Sequence, residues 1–489
     1  MTLYNYIIKE IVKPINLILI LGLLVMTISL IMGKIIVTAA IIALPIIFIC
    51  LIISLRYPAF LFYVIFILNY YIIGLNRYIE ASGISYLMDA LMGLTLINLI
   101  IHTSLYKTYD WSSLKKNPLF IGMSIWMIYC ILELVNPTAN IQAWITNRSL
   151  AINGFIITLV STVLLCKRKH LFTLMNIYSI LALTAIIKVL IQRYYGWDSY
   201  EQRWLNNGGA LTHIIMTGTR YFSFFSDAGN FGSNMGASGV IFCIAAIYIR
   251  SVKLKLYYIV IGILSFYAMF LSGTRGAMIV PLGGLALYAV LCKNVKLLIS
   301  CTLILISIYI FFAFTNIGQD NQQIRRMRTA FNASNDASFN VRKDNKKKLA
   351  EYLKNKPFGE GIGLSGVENQ KFSVRLTTLI PHDSTYVKIW VETGIIGVTI
   401  YLGLIFGTIA FCSYILMFKI KDDEIRGLLS AYLCGITGLI LSAYGNAFWG
   451  QYPTNIIAFV GFSMILNAKK FTQLSCNDDS ETLSICNKE

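Results

Sequence analysis

Long apolar runs recur along almost the whole chain and constrain its fold more than any other feature. A helix rises 1.5 Å per residue, so about 20 apolar residues cross the roughly 30 Å of hydrocarbon in a bilayer. Composition agrees, because 57% of the residues are hydrophobic and only 13% are charged. The sequence therefore predicts an all-α, polytopic integral membrane helix bundle of about 12–14 transmembrane helices. The candidate spans are residues 15–32, 35–55, 58–75, 84–102, 118–135, 150–166, 171–191, 229–249, 256–271, 276–292, 295–315, 394–418, 427–445 and 453–467.

Lysine and arginine are unequally distributed over the segments between these runs. If both termini are cytoplasmic, the inner segments carry 20 basic residues and the five short outer loops carry 4. The positive-inside rule therefore predicts cytoplasmic termini. Segment 316–393 carries 13 basic and 8 acidic residues, but loops longer than about 60 residues escape the rule. We expect this segment to face outward, together with the shorter segment 192–228.

This topology divides the chain into four parts. Residues 1–315 are predicted to form the first eleven transmembrane helices, with 192–228 as an outer loop. The two short runs beside residues 272–275 leave open whether they are one broken span. Residues 316–393 would form a periplasmic loop with amphipathic helices, and 394–468 the last three spans. Residues 469–489 would be a cytoplasmic tail. The first run has no convincing cleavage site after it, which predicts a retained helix.

Cysteine and histidine are scattered along the chain. None of the ten cysteines lies in the two outer segments, so no disulfide is expected there. The four histidines show no metal-ligand spacing with cysteines or carboxylates. We therefore expect no bound metal, no cofactor and no nucleic-acid partner.

Charged residues near the outer ends of the spans lie at one predicted depth. Ionisable groups in hydrocarbon are costly and often mark a site. Snorkelling to the interface or mutual pairing explains any one of them equally well. Their shared depth nevertheless predicts a polar chamber that opens outward. The five residues are Asp89, Glu133, Arg148, Lys188 and Arg275.

Two short stretches contribute arginines at the same level. Arg220 precedes a span in which Gly232 and Gly236 suit close helix packing. Arg275 follows Ser-Gly-Thr in a tight turn, which can present a guanidinium and backbone N–H groups to an anion. Each stretch is a weak signal by itself, and together they indicate an anion site.

The long outer segment predicts two helices and a turn. A basic helix is expected to begin at Asn340 and end before Pro357, with an apolar stripe of Val341, Leu349, Tyr352 and Leu353. Residues 357–363 then form a glycine-rich turn. Asp383 or Ser384 is expected to cap a short helix along the membrane surface, before Gly394 begins the next span. His382 would stand at the start of that helix.

These motifs resemble the O-antigen ligase superfamily of bacterial envelope glycan ligases, O-antigen and capsule polymerases and some protein O-oligosaccharyltransferases. The resemblance spans most of the chain. It rests on the late outer loop, the Arg220 stretch, the Ser-Gly-Thr-Arg-Gly turn, Arg342 with segment 355–363, and segment 382–397. The family usually has Asn, Ser or Gln after the histidine and a glycine one residue before the position of Gly394. Asp383 and the extra residue leave polymerase and ligase both open.

The resemblance implies transfer of a glycan from a polyprenyl-diphosphate-linked donor to a hydroxyl group, at the outer face of the bacterial inner membrane. The acceptor would be a glycan, the lipid A core or a protein, and neither metal nor nucleotide would be needed. Arg220 and Arg275 would hold the diphosphate, and His382 would act as the catalytic base, with inversion at the anomeric carbon. The further substrate-binding residues are expected to be Arg328, Arg342, Asp383, Arg148 and Glu392.

Simpler explanations compete with these assignments. His382 would also serve to hydrogen-bond the loop, Asp383 to cap a helix, and Glu392 to pair with Lys388. A lipid-linked oligosaccharide flippase or transporter would have as many helices. However, transporters place binding groups near the midplane in two matching halves, and no internal repeat is found. A noncatalytic assembly subunit would keep its activity after replacement of Arg220, Arg275 and His382.

Overall fold

The computed structural model describes residues 49–79, 83–106, 109–215, 218–292, 295–328 and 337–486 of the 489-residue chain. The chain divides into two compact units. The first comprises residues 1–62 and 97–108, and the second comprises residues 63–96 and 109–489. In the first unit, the side-chain amide of Asn98 donates to the carbonyl oxygen of Ser54 at 2.7 Å. Every candidate site residue belongs to the second unit.

Helices make up most of the described structure. Short 3-10 turns cover Glu133–Val135, Arg275–Met278 and Val367–Asn369, and Leu205–Gly209 forms a wider helical turn. One antiparallel hairpin pairs β1 (Ile214–Ile215) with β2 (Gly218–Thr219). The helices are α1 (Pro58–Tyr78), α2 (Ile84–Tyr106), α3 (Ser112–Lys115), α4 (Pro118–Leu132), α5 (Ile141–Thr146), α6 (Ser149–Leu164), α7 (Arg168–Tyr194), α8 (Ser199–Trp204), α9 (Ala210–His213), α10 (Ala228–Tyr248), α11 (Val252–Leu271), α12 (Ile279–Leu291), α13 (Val295–Phe314), α14 (Gln322–Arg328), α15 (Ala337–Leu353), α16 (Leu376–Leu379), α17 (Thr385–Phe418), α18 (Asp423–Ser442) and α19 (Thr454–Cys486).

Eight of these helices are long and apolar enough to cross a membrane. The prediction of an all-α polytopic membrane protein is confirmed. The predicted runs from 58–75 onward each coincide with a helix. The two short runs beside residues 272–275 are separate helices, α11 and α12. Run 15–32 lies outside the described residues, and so does run 35–55 up to residue 48.

Helices α10 and α18 form the most enclosed part of the second unit. The most apolar window of each is 83% and 89% buried, respectively. Helix α10 packs closely against α11 and α18, as its small residues predict. A Cβ at Gly232 would lie 2.2 Å from the Ser272 hydroxyl, so only glycine permits this approach. The turn after α11 therefore packs closely against the N-terminal part of α10.

The segment 192–228, which is predicted to be an outer loop, is held in place by charged side chains. Asp198 caps α8, and the Lys188 ammonium lies 2.9 Å from carboxylate oxygens of both Asp198 and Glu201. The Arg77 guanidinium lies 4.3 Å from the Phe222 ring centroid and donates to backbone carbonyls of residues 223, 225 and 226. These contacts hold the segment around Arg220 in place, because a buried charge is tolerated only where it is paired or hydrogen-bonded.

The basic helix of the long loop differs from its prediction at its start and in its apolar face. Helix α15 begins at Ala337, three residues before Asn340. Leu349 and Leu353 are buried against Ile380 and Val391, whereas Val341 is 58% exposed. At about 100° per residue, position 341 lies roughly 80° from Leu349 around the helix, and Arg342 lies within about 20° of it. Arg342 is therefore the residue directed toward the body of the protein.

Helix α17 is broken at Gly394, which separates the segment 385–393 from the long apolar part. Gly394 has φ +67° and ψ −171°, a conformation open to glycine, and a Cβ there would lie 1.9 Å from the Pro357 carbonyl oxygen. The predicted short helix before the span is therefore present. Its N-cap is Ser384, one of the two predicted capping residues, although the Ser384 side chain makes no capping hydrogen bond.

Candidate functional site

The turn between α11 and α12 is the centre of the candidate site. Gly273 has φ +56°, which lets the chain reverse immediately after α11. The Thr274 hydroxyl donates to the Ala228 carbonyl oxygen at 2.9 Å, and this bond ties the turn to the start of α10. Arg275 then opens a 3-10 turn that leads into α12. The turn brings the predicted arginine next to the Arg220 stretch.

Arg220 reaches this turn directly. Its Nη2 donates to Thr274 Oγ1 at 3.0 Å, and its Nη1 donates to the Thr212 carbonyl oxygen at 2.9 Å. Burial lowers the pKa of Arg220, Asp227 opposes the shift, and the positive charges of Arg275 and Arg342 add to it. Three arginines are therefore close enough to repel one another. A cluster of positively charged guanidinium groups is a favourable binding site for an anion.

His213 supports Arg220 from the buried side. Its Nδ1 donates to the Gly209 carbonyl oxygen at 2.9 Å, and its Nε2 accepts the Ala228 N–H at 3.2 Å. Burial lowers the pKa of His213 to about 4, with Arg220 adding to the shift, so the ring stays neutral. The Arg220 N–H donates to the His213 carbonyl oxygen at 2.8 Å. His213 thus has a structural role in positioning Arg220.

A further arginine, Arg326, also lies in the cluster. No feature of the sequence indicated Arg326 as a site residue. Its Nε donates to the Gly273 carbonyl oxygen. The predicted residue Arg328 lies elsewhere, because its guanidinium donates to Gln319 Oε1 at 3.0 Å and to the Ile317 carbonyl oxygen at the end of α13. Arg325, Arg326 and Arg328 are indistinguishable in sequence, and only the packing of α14 decides which of them faces the turn.

Arg342 connects the arginine cluster to the His382 segment. Its Nε lies 3.3 Å from Asp383 Oδ2, and its Nη1 donates to the Gly445 carbonyl oxygen at 3.4 Å. Gly445 follows α18, and a Cβ at Gly445 would lie 4.0 Å from the Gly276 Cα. Asp383 is therefore an ion-pair partner of Arg342, and it adjoins His382 in the chain.

The His382 ring faces the loop segment 366–368. Its Nε2 lies 3.3 Å from Glu368 Oε1, and its Nδ1 is buried beside Gly366. Burial lowers the pKa of His382 to about 4, Lys388 adds to the shift, and Glu368 opposes it. The imidazole is therefore neutral at neutral pH.

Glu392 lies fully buried in the short helical segment of α17. The Ser365 hydroxyl donates to its Oε1 at 2.6 Å, while the Lys388 ammonium is 4.0 Å from the same oxygen. The Gly361 N–H donates to the Glu392 carbonyl oxygen at 3.0 Å. Glu392 thus ties the glycine-rich turn to the helix that follows His382.

A buried ion triad in the glycine-rich turn was not predicted. Glu360 is completely buried and binds Lys356 through Oε1 and Arg375 through Oε2, the latter at 2.6 Å. Burial raises the pKa of Glu360, but the two cations outweigh it and lower the pKa overall. Thr138 donates to the Glu360 carbonyl oxygen at 2.8 Å, which anchors the long loop to the loop after α4. The spacing of Lys356 and Glu360 was the available sequence signal.

Arg148 is engaged in a separate ion pair. Its guanidinium binds the Asp89 carboxylate, stacks 4.1 Å from the Tyr86 ring centroid and donates to the Ile145 carbonyl oxygen. The pairing explanation for charged residues near the outer span ends therefore applies to Arg148 and Asp89. It applies equally to Lys188. Among the residues that the structure describes, no group of three His, Cys, Asp or Glu side chains is arranged to hold a metal ion.

Comparison with known proteins finds similarity to O-antigen ligases and polymerases. Residues 260–402 match the family model described as O-Antigen ligase. A curated O-antigen polymerase of Salmonella muenchen is 29% identical over 253 residues, a match that covers 50% of this chain and 61% of that relative. Both matches support the O-antigen ligase superfamily for this chain. The segment matched by the O-antigen ligase model contains Arg275, Arg326, Arg342 and His382, whereas Arg220 precedes it.

Proposed function

We propose that this protein transfers a glycan from a polyprenyl diphosphate carrier to an acceptor hydroxyl, at the periplasmic face of the bacterial inner membrane. One observation carries the proposal: the arginine cluster around the Gly273 turn is joined through the Arg342–Asp383 ion pair to the segment that bears a neutral, buried histidine. Similarity to O-antigen ligases and polymerases supports a role in polysaccharide assembly. Basic residues are concentrated in the segments that are predicted to be cytoplasmic. This distribution supports a periplasmic location for segments 192–228 and 316–393.

The arginines would bind the leaving group. As the bond between the anomeric carbon and the diphosphate oxygen breaks, the electron pair moves onto that oxygen and negative charge accumulates. Guanidinium groups form paired hydrogen bonds with phosphate oxygens and stabilise this charge. Arg220 and Arg275 are the proposed donors. Arg220 is held rigidly by Thr212 and Thr274, so little reorganisation is needed when the charge develops.

His382 would activate the acceptor. The neutral imidazole takes the proton of the acceptor hydroxyl while the hydroxyl oxygen bonds to the anomeric carbon, opposite the departing diphosphate. Attack from that side inverts the configuration. General base catalysis contributes roughly 10²- to 10⁴-fold in rate. Glu368, 3.3 Å from Nε2, would stabilise the imidazolium that forms. The proton then leaves for solvent through the exposed Glu368 side of the ring.

Reconstitution of the purified chain with lipid-linked glycan alone tests the function. A ladder of lengthening lipid-linked chains indicates a polymerase, and the Salmonella muenchen relative favours this outcome. Product that appears only after addition of lipid A core or a polypeptide indicates a ligase or an oligosaccharyltransferase. Glycan carried across the bilayer with no new glycosidic bond would instead establish the flippase alternative.

The variant His382→Ala separates chemistry from binding. We expect it to lose transfer by about 10²- to 10⁴-fold while it inserts normally and binds the lipid-linked donor as the wild type does. Arg220→Ala should instead weaken donor binding and also slow transfer. Unchanged turnover in His382→Ala would remove the base assignment.

A further inference from the structure

Helix α14 is held in one orientation on both sides of residue 326. Met327 is completely buried against Met278 and Phe312. Arg328 is bonded to residues that follow α13, including the Ile317 carbonyl oxygen. On the other side, Ile324 packs against the same cluster as Met327. The direction of the Arg326 side chain is therefore set by the packing of α14. Arg325, in contrast, is exposed.

Arg326 and Arg220 flank the same glycine. From the point where a Cβ on Gly273 would lie, the Arg220 Cγ is 3.4 Å away and the Arg326 Cδ is 3.5 Å away. The Arg326 Nε also donates to the Gly273 carbonyl oxygen. The two side chains therefore lie on the turn that leads into Arg275, and their charged ends share one region.

Several positive charges meet at this turn, which favours an anionic ligand. Burial lowers the pKa of Arg326 to about 10, and the positive charges of Arg220 and Arg275 add to the shift. Arg326 nevertheless remains protonated at neutral pH. Three guanidinium groups at one turn present several paired N–H donors, which suits a ligand with several phosphate oxygens.

We propose that Arg326 binds the diphosphate together with Arg220 and Arg275, and that it makes the site select a diphosphate carrier over a monophosphate carrier. This inference rests on the proposed function. Two phosphoryl groups present enough oxygens for three planar guanidiniums, whereas one phosphoryl group cannot engage all three in paired hydrogen bonds. The third arginine therefore contributes to binding mainly when the second phosphate is present.

Binding of two short-chain probes tests the selectivity. The full-length protein in detergent is titrated with farnesyl diphosphate and with farnesyl phosphate, and dissociation constants are measured for both. The wild type should bind the diphosphate more tightly. Arg326→Ala should weaken diphosphate binding by about 10- to 100-fold and change monophosphate binding much less. Arg326→Lys should restore only part of the preference, because an ammonium keeps the charge without the planar fork.

Arg325→Ala is the matched control, since it removes the same charge one residue away on the exposed side of α14. It should leave both dissociation constants unchanged. Equal losses in Arg325→Ala and Arg326→Ala would reduce the effect to bulk charge and overturn the inference. So would an Arg326→Ala or Arg326→Lys protein that keeps the wild-type ratio.

The same titrations distinguish this inference from the proposed function. If the wild type and Arg220→Ala bind farnesyl diphosphate equally weakly, the diphosphate site itself is wrong. If Arg220→Ala loses binding and Arg326→Ala keeps the preference for diphosphate, the site stands and the role of Arg326 is refuted. Thermal unfolding of each variant confirms that folded protein is being titrated.

Discussion

Oε1 of Glu368 lies 3.3 Å from Nε2 of His382, while Nδ1 of the same ring is buried beside Gly366. Nδ1 leaves no room for an acceptor hydroxyl, so the proposed proton transfer uses Nε2, on the Glu368 side of the ring. Glu368 is 62% exposed, so this side of the ring faces water. The pair orients the proposed base and offers a counter-charge when the ring becomes protonated.

Glu368→Gln should slow the chemical step without weakening donor binding. The amide keeps the shape of the side chain but removes the charge that stabilises an imidazolium, and we expect kcat to fall on the order of tenfold. The KM for the lipid-linked donor should stay constant, because Glu368 does not contact the arginine cluster in this proposal. Steady-state kinetics of the reconstituted variant measure both values. A change confined to KM would contradict the positioning role.

The pH dependence of transfer should report the shifted histidine. Its pKa is lowered from 6.5 to about 4, so the neutral base is retained well below the ordinary titration range of histidine. We expect kcat/KM to be constant from neutral pH down to about pH 5 and to fall only as pH approaches about 4. A decline centred near pH 6.5 would show that the imidazole is not buried as described.

The same shift affects stability with a definite sign. The unfolded chain binds a proton on this histidine below about pH 6.5, whereas the folded chain binds it only near pH 4. Acidification through this window therefore favours unfolding. The thermal unfolding midpoint of the wild type should therefore fall relative to that of His382→Gln as pH is lowered from 7 to about 4, because the glutamine variant has no imidazole to protonate at this position.

Gly366→Ala should displace the proposed base. Gly366 has φ +82°, a conformation that costs an alanine about 1–2 kcal/mol, and its Cβ would lie 2.1 Å from His382 Nδ1. We expect transfer to fall by about 10²-fold or more while the protein still binds farnesyl diphosphate. Gly403→Ala, where a Cβ meets nothing within 4 Å, is the matched control and should be fully active. Normal activity in Gly366→Ala would dissociate the ring position from catalysis.

Glu360→Gln should loosen the long loop. Glu360 is completely buried, whereas its partners Lys356 and Arg375 are each 32% exposed, so loss of the carboxylate should cost about 1–3 kcal/mol. Its lowered pKa means that the stabilisation is present above about pH 4.5 and is lost as pH falls through the folded value. Limited proteolysis at neutral pH should cleave residues 357–380 faster in this variant. The exposed carboxylate in Glu351→Gln provides a control that should match the wild type.

The helical fold was largely predictable because a membrane span is specified by local composition. Length and hydrophobicity alone located the helices from Pro58 onward. The start of α15 was not predictable, since its position depends on packing of Leu349 and Leu353 against Ile380. The prediction that Val341 belongs to the buried apolar stripe was wrong because it ignored the angle of each residue around the helix.

The site was predictable only where a residue stands in a distinctive local setting. Arg220, Arg275 and His382 each adjoin glycines or a helix start, and the structure places the two arginines at one turn. Arg326 and Glu360 have no such setting. Their positions follow from the anchoring of Met327 and from the arrival of Arg375 from a distant part of the loop, and both are tertiary effects. Arg148 was assigned to substrate, whereas its guanidinium binds Asp89.

The break at Gly394 determines which parts of the chain can be exchanged between relatives. The Pro357 carbonyl oxygen fills the space of a side chain at position 394, and the N–H groups of Glu360 and Gly361 donate to the carbonyl oxygens of Val391 and Glu392 at 2.9 and 3.0 Å. These are main-chain contacts, so they depend on backbone shape in both segments. A chimaera that imports residues 357–363 without residues 391–397 would lose them. A loop graft between relatives should therefore transfer residues 357–363 and 391–397 together.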